Sequence, residues 1–354
     1  MNNLICFLGG SSPTGFRTGF DKMIADTDFH TYIIKGGPGT GKSSLMKRLA
    51  EAFPDEEKEI YYCSSDPDSL DAVIFSERKV IFVDGTPPHC FEPEYPGAVQ
   101  QILDLGAYWN GELLKKNKEQ IVAASADYLQ YHARCRRYIT ALSAVMSDTE
   151  QIAEAALSTE KLDGFINRLA KKILPKKNPA EDGRIEFRQF SALGPKGYLT
   201  HVPDGYAAYL LNDRFYTGSE RFLRKFSDIA RKKGYTVSIS VCTLHGEEFF
   251  EHMIIPELKI AFFSANPVNG LILAAKQPIN FRRFYDKNII AEKKIRIKFN
   301  ESAAKNLLDE AISSLVNAKR CHDKLEEFYI SAVDFDSINR LLYTLISEVK
   351  AMNR

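Results

Sequence analysis

Two periods of hydrophobicity alternate along this chain of 354 residues, and they do so twice in the same order. Short apolar runs such as "TYIIK" (31–35), "IYYC" (60–63) and "VIFV" (80–83) are followed by Gly, Ser or Asp and predict buried strands. Between the first two, "SLMKRLAEAF" (44–53) spaces its apolar residues as one face of a helix. Further on, "AYLL" (208–211), "ISVC" (239–242) and "KIAFF" (259–263) predict strands again, with Phe222, Leu223 and Phe226 on an intervening helix. Each half therefore reads as hairpin, strand, loop, helix, strand, short helix, strand, the alternation of an α/β domain with a largely parallel sheet. Long stretches of helical spacing follow, over 98–173 and over 301–351. Each reads as a helical hairpin appended to its sheet, and the two suit a pseudo-symmetric pair.

The halves also match in sequence. "SPTGFRT" (12–18) aligns with "GPKGYLT" (194–200), "IYYCSS" (60–65) with "ISVCTL" (239–244), and "SERKVIFVDG" (76–85) with "PELKIAFFSA" (256–265). "INRLA" (166–170) aligns with "INRLL" (338–342). Each match is weak, but their order is preserved, which is the signature of an internal duplication. The expected architecture is two tandem α/β domains. The first covers 1–175 with its helical appendage at 98–173; the second covers 185–354 with an appendage at about 300–351. "KKILPKKNPAEDGR" (171–184) reads as the linker.

Charge narrows the function classes. Residues 1–177 hold 21 Lys+Arg against 24 Asp+Glu, and the remainder holds 26 against 22, so neither half is a basic arm and nucleic acid is not an expected partner. The basic runs "RRFYDK" (282–287) and "KKIRIK" (293–298) read as solvated faces. The six cysteines lie far apart, without metal-ligand spacing, and read as free thiols in a reducing compartment. With no run of about 18 apolar residues, and no basic region before the short apolar stretch of "MNNLICFLGGSSPTG", the expected location is the cytoplasm.

The chemistry concentrates in "GGPGTGKS" (36–43), which satisfies G-x-x-x-x-G-K-[ST] between a strand and a helix. Such a loop curls its backbone N–H groups round phosphate oxygens and ends at a helix N-terminus that favours an anion. Gly36, Gly37, Pro38, Gly39, Thr40, Gly41, Lys42, Ser43 and Ser44 are the expected nucleotide contacts. Lys42 would bridge the β- and γ-phosphates, and Ser43 would give its hydroxyl to Mg²⁺. Asp84, at the tip of "VIFVDG", is the expected second metal-holding group. Gly85 follows it where many ATPases carry a water-activating glutamate, so hydrolysis is expected to be slow. Between these, "CSSDPDSLDAVI" (63–74) brings Asp66, and after it Asp68, as candidate bases for a phosphoryl acceptor. Asp68 or Ser69 also suits the N-cap of a helix beginning at "LDAVI". His89 is a candidate γ-phosphate sensor or general acid, or else a plain loop histidine.

Laid on residues 31–49, the stretch "AYLLNDRFYTGSERFLRKF" (208–226) is a second phosphate loop without its working parts. Asp213 stands where Gly36 does and Ser219 where Lys42 does, and Ser264 ends the strand that matches the one ending in Asp84. No nucleotide is expected there. Arg214 and Arg221 remain as candidate arginine fingers for the first loop, or as structural ion-pair partners.

"YIIKGGPGTGKSSLMK", "CSSDPDSLD", "VDGTPPH" and "PGAVQQILDLG" in the first half, with "EHMIIPELKIAFFSA" in the second, resemble an uncharacterised bacterial family with two tandem P-loop-like halves, described as ATPases or nucleotide kinases. The resemblance spans nearly the whole chain. It implies a P-loop NTPase fold, with the second phosphate loop degenerate, and ATP binding; it names no acceptor or protein partner. The expected activity is that of a Mg²⁺–ATP-binding NTPase that hydrolyses slowly as a conformational switch, an intramolecular pseudo-dimer with nucleotide in the N-terminal half alone. A phosphotransferase using Asp66 or Asp68 is the alternative, and a nucleic-acid-associated ATPase is the third reading.

Overall fold

The structure, a computed structural model, describes residues 3–352 apart from 89, 177–180, 247 and 274–277. The first half opens with strand β1 (Leu4–Phe7) and a hairpin of β2 (Gly9–Ser12) and β3 (Gly15–Thr18), followed by a single turn, α1 (Asp21–Ile24). Strand β4 (His30–Lys35) then leads into helix α2 (Lys42–Glu51), and β5 (Glu59–Tyr62), β6 (Leu70–Phe75), β7 (Val80–Asp84) and β8 (Gln100–Asp104) complete a six-stranded sheet. Its order is β1-β5-β6-β7-β4-β8. All strands run in one direction except β6, which is antiparallel to both neighbours.

That reversed strand corrects an expectation. The sheet is largely parallel, as expected, but one strand makes it mixed, and that strand is "LDAVIF", where a short helix was expected. All six of its residues are buried. A run that short, apolar on both faces, fits the middle of a sheet, whereas a surface helix needs a polar side. The segment 98–104 also departs from the helical reading, because β8 pairs with the free edge of β4.

The second half repeats the plan. Strands β9 (Ile185–Phe187), β10 (Ser191–Gly194), β11 (Gly197–Thr200) and β12 (Ala207–Asn212) precede helix α6 (Thr217–Lys232), numbered to leave α3–α5 for the helices between the halves. After α6 come β13 (Val237–Val241), β14 (Phe250–Ile255), β15 (Ile260–Ala265) and β16 (Ile279–Asn280). The order β16-β12-β15-β14-β13-β9 is that of the first sheet strand for strand, with β14 reversed as β6 is. The inner faces of both sheets share one core, in which Ile33, Ile81 and Val83 lie with Ile254, Ala261 and Phe263. The sheet edges also meet, where the Phe7 N–H donates to the Gln189 carbonyl at 2.7 Å. Helices lie on the two outer faces.

Which helices they are is the unexpected part. Residues 105–173 form a 3₁₀ turn, α3 (Gly111–Lys116), α4 (Lys118–Ala156) and α5 (Thr159–Ile173). Residues 281–351 match them with α7 (Lys287–Glu292), α8 (Lys294–Ile330) and α9 (Phe335–Ala351). Helices α4 and α8 pair antiparallel along their length. Near one end Arg296 is paired with Asp148, and near the other the ring of Tyr128 lies 6.0 Å from that of His322. Each long helix carries its partner across. Leu162, Ile166 and Ala170 of α5 are buried with Phe222 and Phe226 of α6 on the second sheet. Ile338, Leu342, Leu345 and Val349 of α9 are buried with Leu45, Met46 and Leu49 of α2 on the first.

The terminal helices are thus exchanged, where each was expected on its own sheet. The reason lies in continuity. Neither 118–156 nor 294–330 contains a Gly or Pro, so each runs as one helix of roughly 55–60 Å at about 1.5 Å per residue. A rod of that length cannot double back over a small sheet. The N-caps Ser158 and Asp334 align α5 with α9, so the "INRLA" and "INRLL" segments are one helical turn out of register. Among the described residues no helix is long and apolar enough to cross a membrane.

The exchange makes a direct prediction. Leu342→Ala, in the last helix of the chain, should cost about 2–5 kcal/mol in urea denaturation. Its loss should raise amide exchange in α2 and β4 of the first sheet, and exchange confined to the second sheet would refute this packing.

Candidate functional site

The loop between β4 and α2 turns on Gly39 (φ 67°) and Gly41 (φ 87°), left-handed positions that a side chain rarely tolerates. Thr40 Oγ1 donates to the Gly37 carbonyl at 2.8 Å and staples the loop. Gly41 is the N-cap of α2 and offers no side chain to its first turn. Four amides open any helix without internal partners, and here no side chain takes them among the described residues. Lys42 Nζ folds over the loop, donating to the carbonyls of Gly36 and Gly37 at 3.1 and 2.9 Å, and lies 3.7 Å from Asp84 Oδ2.

Asp84 ends β7 directly beside β4, opposite Ile34. Its Oδ1 accepts from the Thr86 N–H and hydroxyl at 2.8 and 2.5 Å. Burial pushes its carboxyl above the ordinary range and Asp71 adds to this, while Lys42 and Thr86 act against it. Ser43 Oγ accepts from the Leu70 N–H at 2.9 Å, which ties α2 to the start of β6. A cation-binding hydroxyl and carboxylate therefore flank Lys42, so the donor set fits a metal-bound polyphosphate. Pro38 is half-buried within the loop and Ser44 is exposed on the first turn of the helix. Gly85 has no room for a larger residue, since a Cβ there would lie 2.4 Å from Ile33.

The carboxylates of the β5–β6 turn behave differently. Asp66 accepts from Ser69 Oγ at 2.8 Å and lies 3.6 Å from Lys319 of α8. Asp68 is exposed and bonded at 2.7 Å to Lys196 of the β10–β11 hairpin, which holds its carboxyl below the usual range. His89 lies outside the described residues.

Several site residues were not found from sequence. Asp71 of β6 is buried beside Cys63 and Asp84; a charge inside the apolar run "LDAVIF" was its signal. The remainder come from the exchanged helices, to which no local pattern points. The C-terminal end of α8 lies on the phosphate loop. A Cβ on Gly37 would lie 2.5 Å from the Tyr329 ring, and one on Gly39 would lie 2.9 Å from the Glu326 carbonyl. Tyr329 in turn packs on Trp109, with centroids 5.6 Å apart. A separate cleft of about 300 Å³, lined by Arg17, Phe20, Lys22 and Arg188, opens by β1, at the opposite edge of the first sheet.

The second loop shows what a filled version looks like. Asp213 is buried, and its carboxylate accepts from the N–H groups of Phe215 and Ser219 at 3.1 and 2.8 Å. The Tyr285 hydroxyl donates to the same carboxylate at 3.0 Å and accepts from the Gly218 N–H at 2.8 Å. The carboxylate thus stands where an anion would accept from these amides. Tyr216, which stands where Gly39 does, keeps a positive φ of 66°, so the loop holds its turn despite a strain on the order of 1–3 kcal/mol. Arg214 and Arg221 are committed to Glu301 and Asp163, at 2.5 and 2.8 Å.

The rest of that sheet edge is closed as well. Strand register places Glu251 where Asp71 stands and Ser264 where Asp84 stands. Glu251 accepts from the Tyr198 hydroxyl at 2.7 Å and from Asn269 Nδ2 at 3.0 Å, and the same Asn269 amide donates to the Ser264 carbonyl at 2.9 Å. Burial raises the Glu251 carboxyl to about 7, against the lowering effect of both partners.

Residues 20–86 match the family model for novel STAND NTPase 3. The matched segment runs from just before α1, through β4, the phosphate loop and α2, to just past Asp84. It supports an NTPase-like, nucleotide-binding domain in this part of the chain. Neither the curated proteins nor the solved structures include a match.

Two stability effects follow from the second half. Asp213→Ala strips the acceptor from buried amides and should cost about 1–3 kcal/mol in chemical denaturation. Glu251 binds its proton more tightly folded than unfolded, so its contribution is present below the ordinary value of 4.5 and is lost as pH rises through about 7. Glu251→Gln should remove that dependence and be the more stable form above pH 7, by up to roughly 3 kcal/mol. Parallel wild-type and variant stability curves between pH 4.5 and 8 would contradict this.

Proposed function

We propose that the protein binds Mg²⁺–ATP at the intact loop alone, hydrolyses it slowly, and uses its occupancy to reposition the α4–α8 pair. The contrast between the two loops carries this reading. In one, amides of the loop and first helical turn are satisfied by Asp213 and Tyr285; in the other, among the described residues, the first turn of α2 has no capping side chain. An uncapped helix N-terminus beside a lysine is a phosphate site. Lys42 and the amides of residues 39–43 would hold the β- and γ-phosphates, and Ser43 and Asp84 would hold the metal, which supplies charge neutralisation when bound.

Slow turnover follows from Gly85, where the packing against Ile33 excludes an adjacent glutamate. The switch follows from the contacts of Tyr329 and Glu326 with the loop glycines, because a polyphosphate settling there must press on the end of α8. A phosphotransferase reading draws less support. It needs Asp66 or Asp68 as a base, and both are held by lysines.

Calorimetry with Mg²⁺ and ATP, and in parallel with GTP, should give one site per chain. Lys42→Ala should weaken ATP at least tenfold, while Ser219→Ala, at the matching position of the second loop, should leave affinity unchanged. Equal losses in the two variants, or binding that survives Lys42→Ala, would refute the assignment.

A further inference from the structure

The long helices form a roof over both sheet edges, and the duplication allows one roof to be read against the other. The aligned flanks fix the correspondence. Trp109 bridges Val333 at one end and Tyr285 bridges Leu157 at the other, and Trp109 stands 176 positions before Tyr285, as Leu157 does before Val333. At that spacing Lys319 corresponds to Ser143, His322 to Met146, Tyr128 to Ala304 and His132 to Leu308.

Over the filled loop the roof is apolar and closed. Met146, Ala304 and Leu308 pack with Tyr216, Cys242 and Leu244, and Ser143 Oγ merely accepts from the Gly246 N–H at 2.9 Å. Over the open loop the same four positions are a lysine, two histidines and a tyrosine. The Tyr128 and His132 rings lie 4.4 Å apart, and burial, with Cys63 and Asp71 nearby, pushes the Tyr128 hydroxyl above its ordinary range. Among the described residues His132 Nε2 and His322 Nδ1 are shielded from solvent and make no hydrogen bond, although His322 Nδ1 lies 3.8 Å from the Glu326 carboxylate. Polar groups left so cost free energy unless something else binds there. At these four positions the roof is polar over the first loop and nearly apolar over the second, where Glu150 of α4 is instead paired with His245 at 3.0 Å.

We propose that Lys319, supplied by the second half, is the catalytic cation that contacts the γ-phosphate at the first half's loop. The proposal rests on the nucleotide-binding reading above. Geometry sets its reach. The Glu326 carbonyl lies at Gly39, and Lys319 stands two turns earlier on α8, about 10 Å along the axis. Asp66, which its ammonium meets at 3.6 Å, closes the β5–β6 turn. Neighbouring strands are about 4.8 Å apart, so α8 crosses from the end of β4 over β7 and β6. Lys319 therefore stands on the side of the loop where Asp84 and Ser43 project. Asp66 and Asp323 hold the ammonium, in the way that a carboxylate parks a cation before its ligand arrives. Arg214 and Arg221, the cations expected from sequence, are committed elsewhere.

A γ-phosphate contact separates ATP from ADP, whereas a structural role does not. Calorimetry with Mg²⁺–ATP and Mg²⁺–ADP on wild type, Lys319→Ser, Lys319→Gln and Lys319→Arg tests it, with thermal unfolding as a check on folding. Lys319→Ser and Lys319→Gln should each lose at least tenfold in ATP affinity with ADP unchanged within about twofold. Lys319→Arg should recover most of the loss, and single-turnover hydrolysis should fall in the same order. Equal losses for both nucleotides, or no loss for either, would overturn the role of Lys319 and leave the nucleotide site standing. Wild-type protein that binds neither nucleotide would overturn both.

Discussion

A helix that begins in mid-protein presents amides that must meet an anion, and this structure answers that demand in two ways. In the second half a carboxylate from the loop itself, Asp213, enters the cradle and a tyrosine hydroxyl completes it. In the first half glycine stands at the cap and, among the described residues, no side chain accepts from the opening amides of α2. An internal carboxylate and a bound phosphate satisfy the same donors. Asp213 therefore spares the second loop a ligand, and the first loop retains a reason to bind one. Tyr216 shares the positive φ of Gly39, but Gly218 does not share that of Gly41, and α6 begins two positions earlier than α2 does.

The exchange of helices couples these two answers. Because α9 completes the core against α2 and α5 completes the core against α6, neither sheet is fully covered without the other half's chain. The energetic unit is the pair. The same crossing lays α8 on the first loop and α4 on the second, where Thr217 Oγ1 reaches the Glu150 carbonyl at 3.5 Å. Each site is therefore floored by one half and roofed in part by the other. The roof is also where they diverge most, with ionisable groups over one and methyl and thioether groups over the other.

Consecutive residues made the phosphate loop, Asp84 and the duplication legible in the sequence, because local backbone chemistry dictates them. The strand at 70–75 was obscured by Asp68 and Ser69, which are as good a helix N-cap as they are a hairpin turn; only burial on both faces decides between them. Asp213 was visible, but its bonds to the loop amides were not. A sequence shows that a charge stands near a loop, and only the fold shows that it points inward. The exchange was hidden because an apolar stripe on α9 states that something covers it without saying which sheet does. Lys319 had no local signature at all. Its meaning comes from meeting Asp66 across the fold and from the serine that stands in its place over the other loop.

The root of each long helix then explains why the filled loop is worth keeping. Tyr285, just ahead of α7 and α8, is the residue whose hydroxyl binds both Asp213 and the Gly218 amide, so the filled loop pins the start of α8. Trp109 stands at the matching place ahead of α3 and α4. It meets no such latch there and rests against Tyr329, at the far end of α8. Backbone hydrogen bonds hold both ends alike, Asp286 N–H to the Ala156 carbonyl at 2.8 Å at one and Asn110 N–H to the Ala332 carbonyl at 2.7 Å at the other. What distinguishes the two ends is the buried carboxylate at the first and the aromatic packing at the second.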